Sequence, residues 1–121
     1  MESNNILAQK TFNFSFKSIK AYQILIREKK EYILSKQLLR SATSIGANVE
    51  ESIGGQSQKD FFMKLNIAYK EARECHYYLR LIFQSNLMNN KIVFEMLQEC
   101  NEILRILAAS IRTLRQKLSY K

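Results

Sequence analysis

The sequence predicts an all-α fold, an antiparallel up-down-up-down four-helix bundle. Three observations point there. The chain has 121 residues, no proline and only three glycines, Gly46, Gly54 and Gly55; an all-β fold needs many tight turns, and these two residue types build most of them. Its apolar residues recur at alternating steps of three and four, the period of a helix face. An apolar fraction of 46% is that of a globular chain, and this length makes one domain, residues 1–121, that can bury a core without disulfide or metal.

The first helix is expected over about residues 10–29. Phe12, Phe16, Ile19, Tyr22 and Ile26 share one face and are its expected core stripe. Phe12 to Phe16 also alternates as a strand would, but no other strand is available to pair with it. The second helix is expected over 35–53, with Ser35 as its N-cap. Leu38, Ala42, Ile45, Val49 and Ile53 form its apolar stripe, and Gly54-Gly55 is expected to end it with a left-handed residue. The third, 57–85, opens on Ser57-Gln58-Lys59-Asp60, which has the form of a capping box. Phe61, Leu65, Ala68, Ala72, Cys75, Leu79 and Ile82 make its seam, flanked by Phe62, Tyr69, His76 and Phe83. The fourth, 91–117, repeats the design with Val93, Met96, Cys100, Ile103, Leu107, Ser110 and Leu114, flanked by Leu97, Leu104, Ile111 and Leu118. Short connections favour antiparallel neighbours.

The charge is unevenly placed. Of a net +8, residues 1–27 hold four bases and one acid, residues 28–102 hold ten of each, and residues 103–121 hold five bases and no acid. Lys10, Lys17 and Lys20 repeat the spacing of Arg105, Arg112 and Arg115. In an up-down bundle the first and fourth helices are neighbours, so a joint basic face is expected, suited to RNA or DNA phosphates. No stretch reaches the roughly 18 apolar residues of a membrane span, and Met1 to Lys10 lacks the order of a signal peptide. A cytoplasmic chain with reduced Cys75 and Cys100, and no membrane partner, is the expectation.

The second helix carries a distinct polar stripe. Arg40, Ser44, Asn48 and Glu51 fall at i, i+4, i+8 and i+11, nearly opposite the core stripe. Glu71 and Glu74 of the third helix are a matching acidic set. The stripe is either a solvated face with weak local pairs or a hydrogen-bonding network inside the subunit or at an oligomer interface; Ser, Asn and Gly are poor helix formers, and a plain solvated face more often uses Lys, Glu and Gln. Gly46 costs the helix about 1 kcal/mol relative to Ala, which makes sense where another backbone approaches.

The run from Leu38 to Glu51, Leu-Leu-Arg-Ser-Ala-Thr-Ser-Ile-Gly-Ala-Asn-Val-Glu-Glu, resembles the signature of the four-helix-bundle proteins named for 23S ribosomal RNA intervening sequences. Ser57 to Phe61 and Ala68 to Glu74 fit the same family. The first and fourth helices match only in length and pattern, and Tyr78 stands where many relatives carry Trp. The resemblance implies a homopentamer of antiparallel bundles with no assigned enzymatic activity. A related group, the accessory proteins of diversity-generating retroelements, consists of basic pentamers that bind a reverse transcriptase and nucleic acid. The resemblance favours the network reading of Arg40, Ser44, Asn48 and Glu51.

Catalysis and cofactors are not expected. A di-iron bundle needs two Glu-x-x-His motifs; the chain has one histidine, His76, and Arg73 stands three residues before it. Cys75 and Cys100 lie on core seams, where a thiol packs as a small hydrophobe. There is no Cys-x-x-Cys-His haem attachment. Two functions remain: a homo-oligomer that binds RNA or DNA through the basic face, and a scaffold or accessory subunit for a co-encoded protein.

Overall fold

The computed structural model describes the backbone of residues 2–119 and the side chains of residues 6–119. Lys121, counted in the basic C-terminal segment, lies outside them. Four helices follow in order: α1 Glu2–Glu28, α2 Leu34–Ile53, α3 Gln58–Gln84 and α4 Asn90–Ser119. They pack in a closed ring, α1 on α2, α2 on α3, α3 on α4 and, most thinly, α4 on α1. Contacts fix every neighbouring pair as antiparallel. Ser15 meets Ala42 while Thr11 meets Gly46; Arg40 meets Glu71 while Glu51 meets Lys64; Phe62 meets Arg115 while His76 meets Asn101; Lys10 meets Glu102 while Lys17 meets Glu99. No described helix is long and apolar enough to cross a membrane.

Helices α2, α3 and α4 bury the faces their spacing predicts. Leu38, Ala42, Ile45 and Val49, Leu65 through Ile82, and Val93 through Leu107 are closed to solvent, with Leu114 nearly so. Three positions differ at the ends: Ile53 is exposed, Phe61 is half-buried, and Ile111 is buried where Ser110 was expected. Cys75 and Cys100 are both fully buried. The Cys100 thiol contacts Ala72 O at 3.4 Å; its hydrogen bond with Cys75, together with burial, pushes its pKa up, so it packs as a neutral hydrophobe.

Helix α1 differs from expectation in length and in face. It begins at Glu2, and its buried residues are Leu7, Thr11, Phe14, Ser18, Ala21 and Leu25, at steps of four and three. Phe12, Phe16 and Ile19 are 66%, 54% and 41% exposed, while Tyr22 and Ile26 are half-buried. Two hydroxyl residues thus occupy core positions. Each satisfies itself on its own helix: Thr11 Oγ1 donates to Leu7 O at 2.9 Å and Ser18 Oγ to Ser15 O at 2.6 Å. Small residues there let α1 and α2 approach closely. Ser15 Oγ donates to Ala42 O at 3.2 Å, and a Cβ at Gly46 would stand 3.0 Å from Ser15 Oγ and 3.4 Å from Thr11 O. Where Thr11 and Ser15 meet Gly46 there is no room for a larger side chain, so Phe12 and Phe16 point away from the core that Leu7, Phe14 and Leu25 fill.

The helix ends depart from the expected caps in two places. Ser35 lies inside α2, not at its N-cap. The Glu31 carboxylate caps the helix instead, accepting from Ile33 N at 3.1 Å, Leu34 N at 2.9 Å and Ser35 N at 2.7 Å. Nor does Gly54 turn left-handed, with φ at −84°; among the described residues positive φ occurs at Lys30 and Asn86. Asn86 and Leu87 close α3 by donating to Phe83 O and Ile82 O, a Schellman pattern that Asn tolerates better than most residues. Gly55 is there for space, since a Cβ would stand 3.1 Å from Ser52 O. Ser57 caps α3 as expected, accepting from Asp60 N at 3.1 Å. Asn89 caps α4 through Lys91 N and Ile92 N.

The Glu31 cap yields a pH signature. Burial pushes its carboxyl upward, but the bonds from Leu34, Ser35 and Ile33 outweigh that and leave the pKa below the ordinary value of 4.5. A depressed carboxyl stabilises the fold fully above its unfolded pKa, and that contribution drains away as pH falls through the folded one. Glu31→Gln is expected to cost about 1 kcal/mol at pH 7, the usual worth of a cap. Below pH 4 the difference should shrink, because the parent then loses its charge. Urea melts at pH 7 and pH 3 check this; an equal deficit at both would refute the charged cap.

Candidate nucleic-acid interface

The polar stripe of α2 is tied to α3 of the same chain. Arg40 Nη1 reaches Glu71 Oε1 at 3.0 Å and Nη2 reaches Glu74 Oε1, while Gln37 accepts from its Nε. Eleven residues on, Glu51 Oε1 meets Lys64 Nζ at 2.8 Å. Between these clamps Asn48 Nδ2 donates to Ser44 O and Ser44 Oγ at 2.9 and 3.2 Å. The six residues expected to act together therefore form two α2–α3 ion-pair clamps and one local amide–hydroxyl pair, not one continuous network.

The joint basic face between α1 and α4 does not form. Lys10 Nζ lies 2.5 Å from Glu102 Oε1, and Lys17 Nζ lies 2.6 Å from Glu99 Oε2. Lys10, with the nearby Arg105, holds the Glu102 carboxyl below its usual range. Lys20 rests over the Phe16 ring, 5.2 Å from its centroid. The edge of α4 that faces α1 is thus acidic, and it neutralises the lysines rather than joining them. Register adds to the separation: residue 10 is level with 102, so Arg112 lies ten residues, about 15 Å, farther along the axis.

Arginines instead gather on the flank between α3 and α4. His76 of α3 meets Asn101 of α4 across the seam, and with Phe62 and Arg115 they mark its line. Arg73 and Arg80 stand three residues before and four after His76. Arg105 stands four after Asn101, Arg112 eleven after, and both are exposed. Arg115 lies over the Phe62 ring of α3 at 5.7 Å. None of these five arginines is in an ion pair among the described residues.

The six acids of α3 and α4 sit elsewhere. Glu71 and Glu74 are held by Arg40, and Glu99 and Glu102 by the α1 lysines. Glu95 lines a cleft with Lys17 and Lys20, and Asp60 lines a groove with Gly54 and Met63. Burial, then the Arg80 charge, lowers the His76 pKa against the opposing contact with Asn101. Such a surface can neutralise several phosphates in a row. Of the residues singled out in the sequence, Arg105, Arg112 and Arg115 belong to it, while Lys10, Lys17 and Lys20 do not. Arg73 and Arg80 were not singled out; the absence of any acid on their side of α3 was the available signal.

A model of the 23S rRNA-intervening sequence protein family matches residues 3–109. The chain belongs to that family. Among solved structures, the chain is similar to a protein of unknown function from the S23 ribosomal protein family of Bacteroides thetaiotaomicron: TM-score 0.87, 37% identity, over 91% of this chain and 98% of that one. No curated protein matches. In this intervening-sequence family member the block from Leu38 to Glu51 does two jobs. Its apolar positions and Gly46 build the contacts with α1 and the core, and Arg40 and Glu51 clamp α3. The block is thus accounted for within one bundle, and the arginine flank lies on the far side of α3 from it.

Proposed function

We propose that this intervening-sequence family protein is a non-enzymatic homo-oligomer that binds nucleic acid through the α3–α4 arginine flank. The observation that carries this reading is the segregation of charge. All the acids of α3 and α4 are turned to the edges next to α2 and α1, leaving five unpaired arginines on one strip. A surface shaped only for solubility would intersperse the two signs. Phosphate neutralisation gives affinity without base reading, and repetition of the flank in an assembly multiplies it.

The assembly is supported by α1. Phe12, Phe16 and Ile19 form an uncovered apolar ridge bordered by Lys20. On the α2–α3 side, Met63 and exposed Ile67 line a groove together with Gly54, Gly55 and Asp60. Ridge and groove are apolar, and their rims carry opposite charge. Seating the ridge of one copy in the groove of the next is a heterologous contact, the kind that builds a ring when the rotation between copies closes; five copies is the number the family resemblance implies.

Binding of a labelled RNA and a labelled DNA against salt tests the nucleic-acid reading. Changing Arg105, Arg112 and Arg115 together to Gln should flatten the slope of log K against log salt by about 2 to 3. Lys10→Gln with Lys17→Gln should leave it nearly unchanged, since those cations already have partners. No binding at low salt would discard the reading in favour of a scaffold for a co-encoded protein, which capture of such a partner would then establish.

A further inference from the structure

The arginine flank also carries exposed aromatic rings, and resting on the reading just given we infer that its ligand is a single strand whose bases stack on Tyr77 and Phe94. On α3 the outer positions Arg73, Tyr77, Arg80 and Gln84 fall at i, i+4, i+7 and i+11. On α4, Phe94, Gln98, Asn101, Arg105 and Arg112 fall at i, i+4, i+7, i+11 and i+18. Each series is a single helix face, and the Phe62–Arg115 and His76–Asn101 contacts place the two faces side by side. Tyr77 is 50% exposed and Phe94 51%.

Neither ring contributes to the core, which is complete beneath them with Cys75, Leu79, Val93 and Met96 fully or almost fully buried. Tyr77 is also held in place. The Arg80 guanidinium carbon sits 5.6 Å from its centroid, and Tyr78 packs against it edge-on at 5.7 Å. A ring fixed between a cation and a neighbouring aromatic, yet half open, is a prepared stacking platform.

The geometry separates the two forms of nucleic acid. In a duplex the base faces are already stacked on one another, so exposed rings in the cation row have nothing to meet. An unpaired strand offers both a phosphate chain and free base faces, and aromatic rings interleaved with cations suit it. The arrangement along the axis agrees. His76 is level with Asn101, so Arg80 is level with about residue 97, and the row from there to Arg115 runs about 27 Å. A tract of that length holds a short single-strand site, of the order of the smaller OB-fold sites. Gln98, Asn101 and Gln84 add neutral hydrogen-bonding groups that tolerate any base.

A 15-nucleotide oligo-dT and a duplex of equal length, titrated at low salt against the parent chain, form the test. The single strand should bind more tightly. Tyr77→Ala with Phe94→Ala should weaken it by roughly tenfold or more while leaving its salt slope unchanged. Halogenated uracil placed in the strand should photocross-link to Tyr77 or Phe94. Both substitutions are at exposed positions, and circular dichroism checks that the helix content is kept. Equal affinity for strand and duplex, or indifference to loss of both rings, would overturn the stacking inference and leave the arginine flank standing as a phosphate surface. No binding of either probe would overturn the flank as well.

Discussion

Gly46→Leu is expected to destabilise the bundle by about 3 kcal/mol. The cause is the close approach of α1 and α2. A Cβ alone at this position would stand 3.0 Å from Ser15 Oγ and 3.4 Å from the Thr11 carbonyl oxygen. The hydroxyl is not free to retreat without loss, because it donates to Ala42 O at 3.2 Å. The carbonyl is backbone and moves only with the helix. Alanine here gains about 1 kcal/mol of helix propensity, which offsets a few tenths of an ångström of crowding, so Gly46→Ala should fall within about 1 kcal/mol of the parent. Leucine adds three more carbons where α1 stands. It forces the helices apart, breaks the Ser15 bond and loosens the α1–α2 packing around Thr11. At roughly 3 to 6 °C per kcal/mol for a chain of this size, the melting temperature should fall by about 10 to 20 °C. Thermal melts followed by circular dichroism measure it; a Gly46→Leu chain that melts with the parent would mean that the two helices do not meet there.

The same close approach explains where the fold was legible in the sequence and where it was not. Helices α2, α3 and α4 could be assigned with their buried faces, because each carries one dominant apolar stripe at steps of three and four. Helix α1 carries two. Its buried stripe runs through Thr11, Ser18 and Ala21, which read as polar or weak, while Phe12, Phe16 and Ile19 read loudly on a face that the monomer leaves open. Hydrophobic periodicity identifies the face most in need of a partner, and the two coincide with the core only when no second contact is called for. The alternation Leu7, Thr11, Phe14, Ser18, Ala21, Leu25 was visible in retrospect, since Ser and Thr can satisfy their own hydroxyls on a helix. The candidate site failed for a different reason. The trios Lys10-Lys17-Lys20 and Arg105-Arg112-Arg115 share a spacing, but spacing along one helix fixes neither the edge it presents to its neighbour nor its level in an antiparallel pair. Those follow from Lys10–Glu102 and His76–Asn101, contacts between helices that a single chain reading does not contain. The α2–α3 clamp of Arg40 with Glu71 and Glu74 is legible because the two acids, three residues apart, share one face of α3 and match the cation of the α2 stripe.

The second large effect is expected at the ridge. Phe12→Ser with Phe16→Ser should convert the assembled protein to monomers at micromolar concentration without loss of helix. In the single chain both rings are more than half exposed and make no core contact that the fold requires, so truncation costs the monomer little. In the proposed assembly each ring enters the groove beside Met63 and Ile67 of the next copy, and burying a phenylalanine is worth about 1.5 to 3 kcal/mol. Two rings at every contact, each already partly covered in the single chain, then amount to roughly 2 to 4 kcal/mol, a factor of about 30 to 1,000 in each dissociation constant. In a closed ring every copy makes the contact twice, so the loss is felt on both sides and the ring opens rather than merely loosening. Asp60→Lys probes the other rim: it sets a cation against Lys20 and should weaken assembly in the same direction, whereas Asp60→Asn should act less. Sedimentation velocity gives the mass and circular dichroism the helix content. A parent chain already monomeric, or a double variant of unchanged mass, would remove the ridge from the assembly. A variant that both dissociates and unfolds would instead show that the two rings support the bundle itself. If the variant is monomeric and folded, its affinity for oligo-dT becomes decisive for the avidity argument: the flank is intact on each copy, so the salt slope per chain should persist while the overall affinity falls, because phosphates that one strand could engage on successive copies must now be engaged one flank at a time.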